Sequence, residues 1–504
     1  MPIAKAWSVA VLGIDGKMIE IEADLGGGLS RVTLVGLPDA GLREAKDRVR
    51  SAVRNSGQPW PDGKVTLGLS PANLPKVGSG YDLGIAAAVL AALGAVPATR
   101  LLGTVLLGEL ALDGRIRPVR GVLPGLLAAR AAGFARAVVP VESLFEAALV
   151  DGVEVAGASR LADLVAWLKG EAELQPPAPP EPVAAPSSVP DLADVVGQPE
   201  ARWALEVAAA GGHHLLLTGP PGVGKTLLAK RLPGLLPRLS PEESLQVTAV
   251  HSVDGSLSRT APLVTVPPFV APHHSITVAA LIGGGSGLAS PGAISRAHRG
   301  VLFLDEVCEF GGQRLESLRT VLEEGEVRIA RVKGAVSYPA RFQLILATNP
   351  CPCAPPKETD CTCSATARRR YLGRLSGPLL DRVDLRVRLR PLTAISAHEV
   401  ESPEGSEAVR KRVLSARERA ERRWREHGWR VNSEVPGPAL RREFGLPRGT
   451  TAVLDRALDR GVITARGADR CLRIAWTLAD LDGVARPGGD HVAAALGFRE
   501  RSAA

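Results

Sequence analysis

Along the first third of the chain, hydrophobic and polar positions change over in short blocks. Met18-Ile19-Glu20-Ile21-Glu22-Ala23 alternates with period two, as a half-buried strand does, and 29–35 and 64–69 read as further strands. Residues 39–55 and 81–93 read as helices; the second is almost wholly apolar and is expected to be buried. Strand, helix and strand follow at 105–111, 122–132 and 137–141, which predicts a compact α/β or α+β domain. The pattern then stops. Residues 176–190 hold seven prolines in fifteen positions. Proline has a fixed φ and no N–H donor, so this stretch is an extended spacer rather than a core element.

Beyond the spacer, 201–211 reads as a helix and His214-Leu215-Leu216-Leu217-Thr218 as an apolar strand, with a helical stretch at 227–232. Val301-Leu302-Phe303-Leu304 and 342–348 are apolar enough to be strands buried on both faces. After Leu392 the chain looks helical, charged at 407–427 and amphipathic at 468–481. The expected organisation is a front domain at 1–172, a Pro-rich linker at 173–192, an α/β core at 193–392 and a helical domain at 393–504. No convincing repeat is present.

Composition narrows the class. With 504 residues, 45% hydrophobic and 23% charged, the chain can bury several cores and is not disordered. It has no apolar run of the ~18 residues a membrane span needs, and Met1-Pro2-Ile3-Ala4-Lys5-Ala6-Trp7 lacks a signal-peptide core. Six cysteines are too few for a disulfide scaffold, so a cytoplasmic protein is expected. The net charge is only +8, but 366–430 alone carries 17 Lys/Arg against 9 Asp/Glu. Such a region suits either phosphate contacts or a solvated Arg-rich helix.

The chemistry is carried by three segments. Gly219-Pro220-Pro221-Gly222-Val223-Gly224-Lys225-Thr226 fits G-x-x-x-x-G-K-[ST] between an apolar strand and a helix, the context that motif requires. Glycines let backbone N–H groups wrap phosphates, Lys225 reaches the β/γ oxygens, and Thr226 offers a hydroxyl to Mg²⁺. The strand at 301–304 ends in Asp305 and Glu306: Asp305 to hold Mg²⁺, Glu306 to polarise the attacking water. The strand at 342–348 ends in Asn349, placed to orient that water.

These motifs, in this order, resemble an AAA+ ATPase. Ala271-Pro272-His273-His274-Ser275, Ile282-Gly283-Gly284-Gly285, Ser290-Pro291-Gly292-Ala293-Ile294-Ser295-Arg296-Ala297-His298, Asn349-Pro350-Cys351-Pro352-Cys353 and Leu379-Leu380-Asp381-Arg382-Val383-Asp384-Leu385 narrow the resemblance to the magnesium-chelatase-like ComM/YifB type. It covers nearly the whole chain. Ala293 and Val270 depart from it, where the family usually carries Glu and Arg. The resemblance implies a homo-oligomeric ring, expected to be a hexamer, in which Arg382 reaches a neighbour's γ-phosphate, with Arg374 as the fallback. It also implies a second arginine from a helical lid, here Arg466 in preference to Arg470 or Arg473. Guanidinium groups suit both places because the transition state spreads negative charge over phosphoryl oxygens.

The front domain resembles Lon-type proteases in Pro75-Lys76-Val77-Gly78-Ser79-Gly80-Tyr81-Asp82 and in 108–121. Laid on that pattern, the catalytic serine falls on Gly80 and the lysine on Leu123. Ser79 is one residue away, and no Lys lies between Lys76 and Lys169. A Ser–Lys dyad is not expected, and the domain reads as a structural or ring-assembly module.

Cys351, Cys353, Cys361 and Cys363 fall within thirteen positions and could supply four thiolates to Zn²⁺; reduced free thiols or a redox pair are the alternatives. Cys308 and Cys471 read as core. His273 and His274 read as part of a loop near the ring pore rather than as metal ligands. Residues 326–338 read as a basic hairpin, and Arg328, Arg331 and Lys333 would contact DNA phosphates without reading bases. The favoured function is an ATP-driven DNA helicase or branch-migration remodeller acting in DNA uptake or recombination. The alternative is a magnesium-chelatase-like or protein-remodelling ATPase that does not act on DNA.

Overall fold

The computed structural model describes residues 3–36, 39–178, 190–285, 289–331, 334–391 and 403–500. The front domain is built on a seven-stranded sheet in the spatial order Arg31–Val35, Lys64–Ser70, Asp15–Gly26, Ala4–Leu12, Thr104–Leu106, Arg136–Pro140 and Glu154–Ala158. Ile19, Ile21 and Ala23 alternate inward as the period-two pattern requires, and helix Asp82–Ala92 is buried on nearly every side against them. The first strand had no clear signal in the sequence. Its inward positions are Ala4, Ala6, Ser8 and Ala10, small side chains that mark a buried face only weakly. The segment read as one strand over 105–111 breaks in two, because the Gly108 N–H turns away to the Gly80 carbonyl at 3.1 Å.

After the spacer comes a five-stranded, wholly parallel sheet. In space its strands run Phe269–Val270, Val301–Leu304, Gln343–Thr348, Leu215–Thr218 and Leu385–Arg388. The first strand in sequence, Leu215–Thr218, thus has its neighbours from later in the chain on both sides. Phosphate ligands of open α/β sheets sit outside the carboxyl ends of the strands, at such a reversal of strand order. Helices Pro199–Gly211, Ser406–Trp424, Ala465–Leu481 and Gly489–Glu500 share one apolar cluster with one face of this sheet. The C-terminal helices are locked internally as well. The Trp424 indole N–H donates to Asn432 Oδ1 at 2.8 Å, the Asn432 amide donates to Asp480 at 2.9 Å, and Arg423 pairs with Asp480.

The front domain packs on the core through helix and hairpin contacts. Leu245 and Ala249 of helix Pro241–Asp254 join the apolar cluster around helix Val122–Ala131, and Ser252 Oγ donates to the buried Glu146 carboxylate at 2.6 Å. The turn at 12–15 lies against the hairpin Glu326–Arg331/Gly334–Pro339; a Cβ at Gly13 would stand 2.3 Å from the Ser337 carbonyl oxygen. No helix among the described residues is long and apolar enough to cross a membrane.

Candidate nucleotide-binding site

The loop 219–224 leaves strand Leu215–Thr218 and enters helix Lys225–Ala229, with Gly222 and Gly224 at φ +79° and +95°. Those values are cheap only for glycine. The Gly219 N–H donates to the Thr348 carbonyl at 3.2 Å, which ties the loop to the neighbouring strand. Lys225 is buried. Its ammonium donates to the carbonyls of Gly219 at 2.6 Å and Pro220 at 2.8 Å and to Asn349 Oδ1 at 3.0 Å. Burial lowers its pKa, and the Asp305 and Glu306 charges oppose that shift. Thr226 Oγ1 donates to Asp305 Oδ2 at 2.6 Å, so the two residues expected at Mg²⁺ stand together. Both the hydroxyl and the carboxylate are oxygen donors, which fits the hard, oxygen-seeking Mg²⁺ ion. Glu306 is exposed at φ +50°, and its carboxylate lies 3.2 Å from His274 Nδ1. Lys225, Thr226, Asp305, Glu306 and Asn349 therefore converge from three adjacent parallel strands.

Arg382 and Arg466 stand at the other end of the sheet. Both line a cavity of about 870 Å³ bordered by His214, Gly300, Gln343 and Asp384, which sit at the amino ends of four strands. Arg382 is mostly buried, paired with Glu323 and donating to the Pro378 carbonyl at 2.6 Å, and its Nε has no partner among the described residues. Arg466 is exposed, with no hydrogen bond or ion pair among the described residues. Its sequence rivals are engaged: Arg470 pairs with the buried Asp384, and Arg473 Nε donates to the Val435 carbonyl at 2.7 Å. Arg374 lies at the phosphate-loop end instead, donating to Glu309 at 2.8 Å.

The hairpin follows helix Gly312–Glu324, itself downstream of Asp305–Glu306, and returns directly into strand Gln343–Thr348. Val327, Ile329, Val336 and Tyr338 are buried, while Arg328 is exposed and paired with Glu326. The Arg328 charge is thus partly offset by its own strand. Lys333 lies outside the described residues; Arg331 closes the ladder opposite Gly334.

In the front domain, Ser79 Oγ donates to the Glu109 carboxylate, not to an amine. Lys76 is buried and donates to the Pro71 carbonyl. Gly80 carries no hydroxyl, and Leu123 lies wholly inside an apolar cluster.

The four clustered cysteines meet. All four sulfurs lie within 4.8 Å of one another, and none is in a disulfide. The link between His274 and Glu306 has no signal in the sequence. The His273-His274 pair was visible, but its target lies on a strand about thirty residues away, joined only because Phe269–Val270 pairs in parallel with Val301–Leu304.

Three family models match the chain: magnesium chelatase, subunit ChlI, over residues 191–397; subunit ChlI of Mg-chelatase over 21–143; and the magnesium chelatase subunit ChlI C-terminal model over 403–499. An uncharacterized protein of Mycobacterium tuberculosis is 59% identical over 100% of both chains. The protein YifB of Escherichia coli is 39% identical over 97% of this chain and 96% of its own. The competence protein ComM of Haemophilus influenzae is 39% identical over 99% and 98%.

Proposed function

The chain belongs to the magnesium-chelatase-like AAA+ ATPases of the ComM/YifB type, and from that premise we propose that it is a ring-forming motor that moves DNA. The observation that carries this reading is the route of the chain. The hairpin begins after the helix that follows Asp305–Glu306 and ends in the strand that presents Asn349, and its base is closed by the Ala340 N–H donating to the Gly325 carbonyl at 2.8 Å. A change at the γ-phosphate therefore reaches the hairpin from both ends. Arg328, Arg331 and Lys333 supply positive charge there for a sequence-independent phosphate track. The name of the Haemophilus influenzae relative, a competence protein, agrees with a role in DNA uptake or recombination.

In this reading the backbone of 219–224 and Lys225 hold the ATP phosphates, exchanging the Gly219 and Pro220 carbonyls for phosphoryl oxygens. Thr226 and Asp305 hold Mg²⁺, which when bound neutralises charge on those oxygens. Glu306 accepts a proton from the attacking water, and Asn349 orients Lys225 and that water. From His214 to Thr218 the strand spans about 13 Å at ~3.3 Å per residue, more than an arginine side chain covers. Arg382 and Arg466 are thus both directed to a neighbouring subunit's nucleotide, and the ring is required for turnover. The front domain acts as a brace on the hairpin through Gly13 and not as a peptidase.

The test replaces Arg328, Arg331 and Lys333 together with Ala and measures ATP turnover with and without DNA. Stimulation by DNA and strand displacement are expected to fall to the DNA-free level. A wild-type protein that binds no DNA at low salt overturns the reading and leaves a motor acting on protein or another substrate.

A further inference from the structure

The cysteine loop continues into an unusual helix. Ala365–Leu372 is capped by Ser364 Oγ, which accepts from the Ala367 N–H at 3.2 Å. Of its eight residues only Tyr371 is buried; Arg368, Arg369 and Arg370 are exposed. A helix that is exposed nearly all round gains little from packing. What fixes it is at its two ends: Tyr371 in the core beside Thr348, and Cys363 immediately before the cap.

The cysteines have the geometry of a metal cage. The Cys351–Cys353, Cys351–Cys361 and Cys353–Cys361 sulfur distances are 3.4, 3.5 and 3.6 Å. A tetrahedron with Zn–S bonds of about 2.3 Å has S···S edges of about 3.8 Å. The Ala354 N–H donates to the Cys351 carbonyl oxygen at 3.3 Å, which turns the chain back at the cluster. Ala354 reaches that position at φ +44°, a conformation that costs energy outside glycine and that the wrap around a shared centre accounts for.

We propose that Cys351, Cys353, Cys361 and Cys363 hold one zinc ion, and that this ion fixes helix Ala365–Leu372 so that Arg369 and Arg370 form a second nucleic-acid phosphate contact, separate from the hairpin. Arg368 has a different place. It lines a cavity of about 360 Å³ with Cys351 and Cys361, where its charge offsets one of the two excess negative charges of four thiolates on a divalent ion. Arg369 and Arg370 follow at 100° steps around the helix and have no ion-pair partner among the described residues. Two unpaired guanidinium groups on a metal-fixed helix suit phosphate oxygens, which they bind bidentately and without regard to base. The phosphate part of this inference rests on the DNA reading above; the metal part does not.

The experiment uses the full chain purified without chelator. Elemental analysis should find one zinc per chain; a zinc content near zero with four titratable thiols overturns the metal site. Binding of a fluorescent single-stranded oligonucleotide is then followed against salt. Arg369→Ala/Arg370→Ala should keep its zinc and its assembly state, and the slope of log K on log salt should fall by about 1.4, from two lost contacts at ~0.7 each. An unchanged slope, or a change in assembly instead, overturns the arginine contact. Cys353→Ser/Cys363→Ser should lose zinc and show the same loss of slope, and chelator-stripped wild type should match it. If the wild type binds no oligonucleotide, the DNA reading and the arginine contact both fail, while the zinc measurement still decides the metal.

Discussion

Turnover should be recovered by mixing two inactive proteins. Lys225→Ala removes the ammonium proposed to meet the phosphates but leaves Arg382 intact; Arg382→Ala does the reverse. Losing an arginine that meets a transferring phosphoryl group costs about 10³-fold, or ~4 kcal/mol. Freeing Arg382 for that task costs far less. Its partner Glu323 is 63% exposed, and an ion pair open to water is worth at most about 1 kcal/mol. The Pro378 carbonyl contact adds about 1 kcal/mol more. The balance favours release once a neighbour presents a γ-phosphate. Each variant alone should therefore be nearly inactive. In an equimolar mixture that assembles at random, about a quarter of interfaces pair an intact phosphate loop with an intact arginine in the head-to-tail ring. Phosphate release should recover to that fraction of the wild-type rate. A mixture no more active than its components would show that Arg382 does not act across the interface.

Glu306→Gln should bind ATP about as tightly as the wild type and hydrolyse it at least ~10²-fold more slowly, because the phosphate cradle is intact and only the base is gone; wild-type phosphate release in that variant would exclude Glu306. His298 is buried beside Arg299 and Arg341, burial being the larger cause of a pKa lowered to about 3, and its Nδ1 accepts the Arg341 N–H at 3.1 Å. The folded state therefore refuses a proton that the unfolded chain takes up below pH ~6.5, so stability is full above that pH and falls by about 2 kcal/mol between pH 7 and 5. His298→Asn, which keeps an acceptor near Nδ1, should flatten that part of the denaturation profile, and an unchanged slope would refute the assignment. Gly13→Ala adds ~1–2 kcal/mol of left-handed strain and a Cβ against the Ser337 carbonyl, and should split front-domain melting from that of the core in calorimetry; a single unshifted transition would refute the brace. The front domain should cleave no unfolded protein with ATP present, and cleavage abolished by Ser79→Ala would overturn that expectation.

Much of the candidate nucleotide site was legible because its parts are local. A phosphate loop needs glycines, Lys225 and Thr226 in one run between strand and helix, and a carboxylate pair needs only an apolar strand before it. Buried parallel strands such as Val301–Leu304 stand out for the same reason: apolar on both faces, they leave a continuous run. The strand Ala4–Leu12 did not stand out, because alanine and serine at its inward positions fit a close-packed neighbour without raising the hydrophobic signal.

By itself, then, the chain's order of residues determined the family, the glycine-rich loop of the candidate nucleotide site, the hairpin and the four cysteines, all of them short-range patterns. Direction and partnership were left to the tertiary structure. That Arg382 and Arg466 face the amino ends of the strands, away from Lys225, follows from parallel pairing, which puts every strand's carboxyl end on one side. That His274 meets Glu306, and that Gly13 of the front domain lies under the hairpin, depends on segments tens to hundreds of residues apart being packed together. No local propensity specifies such contacts; they exist only once the sheet order and the burial of its faces have fixed which surfaces meet.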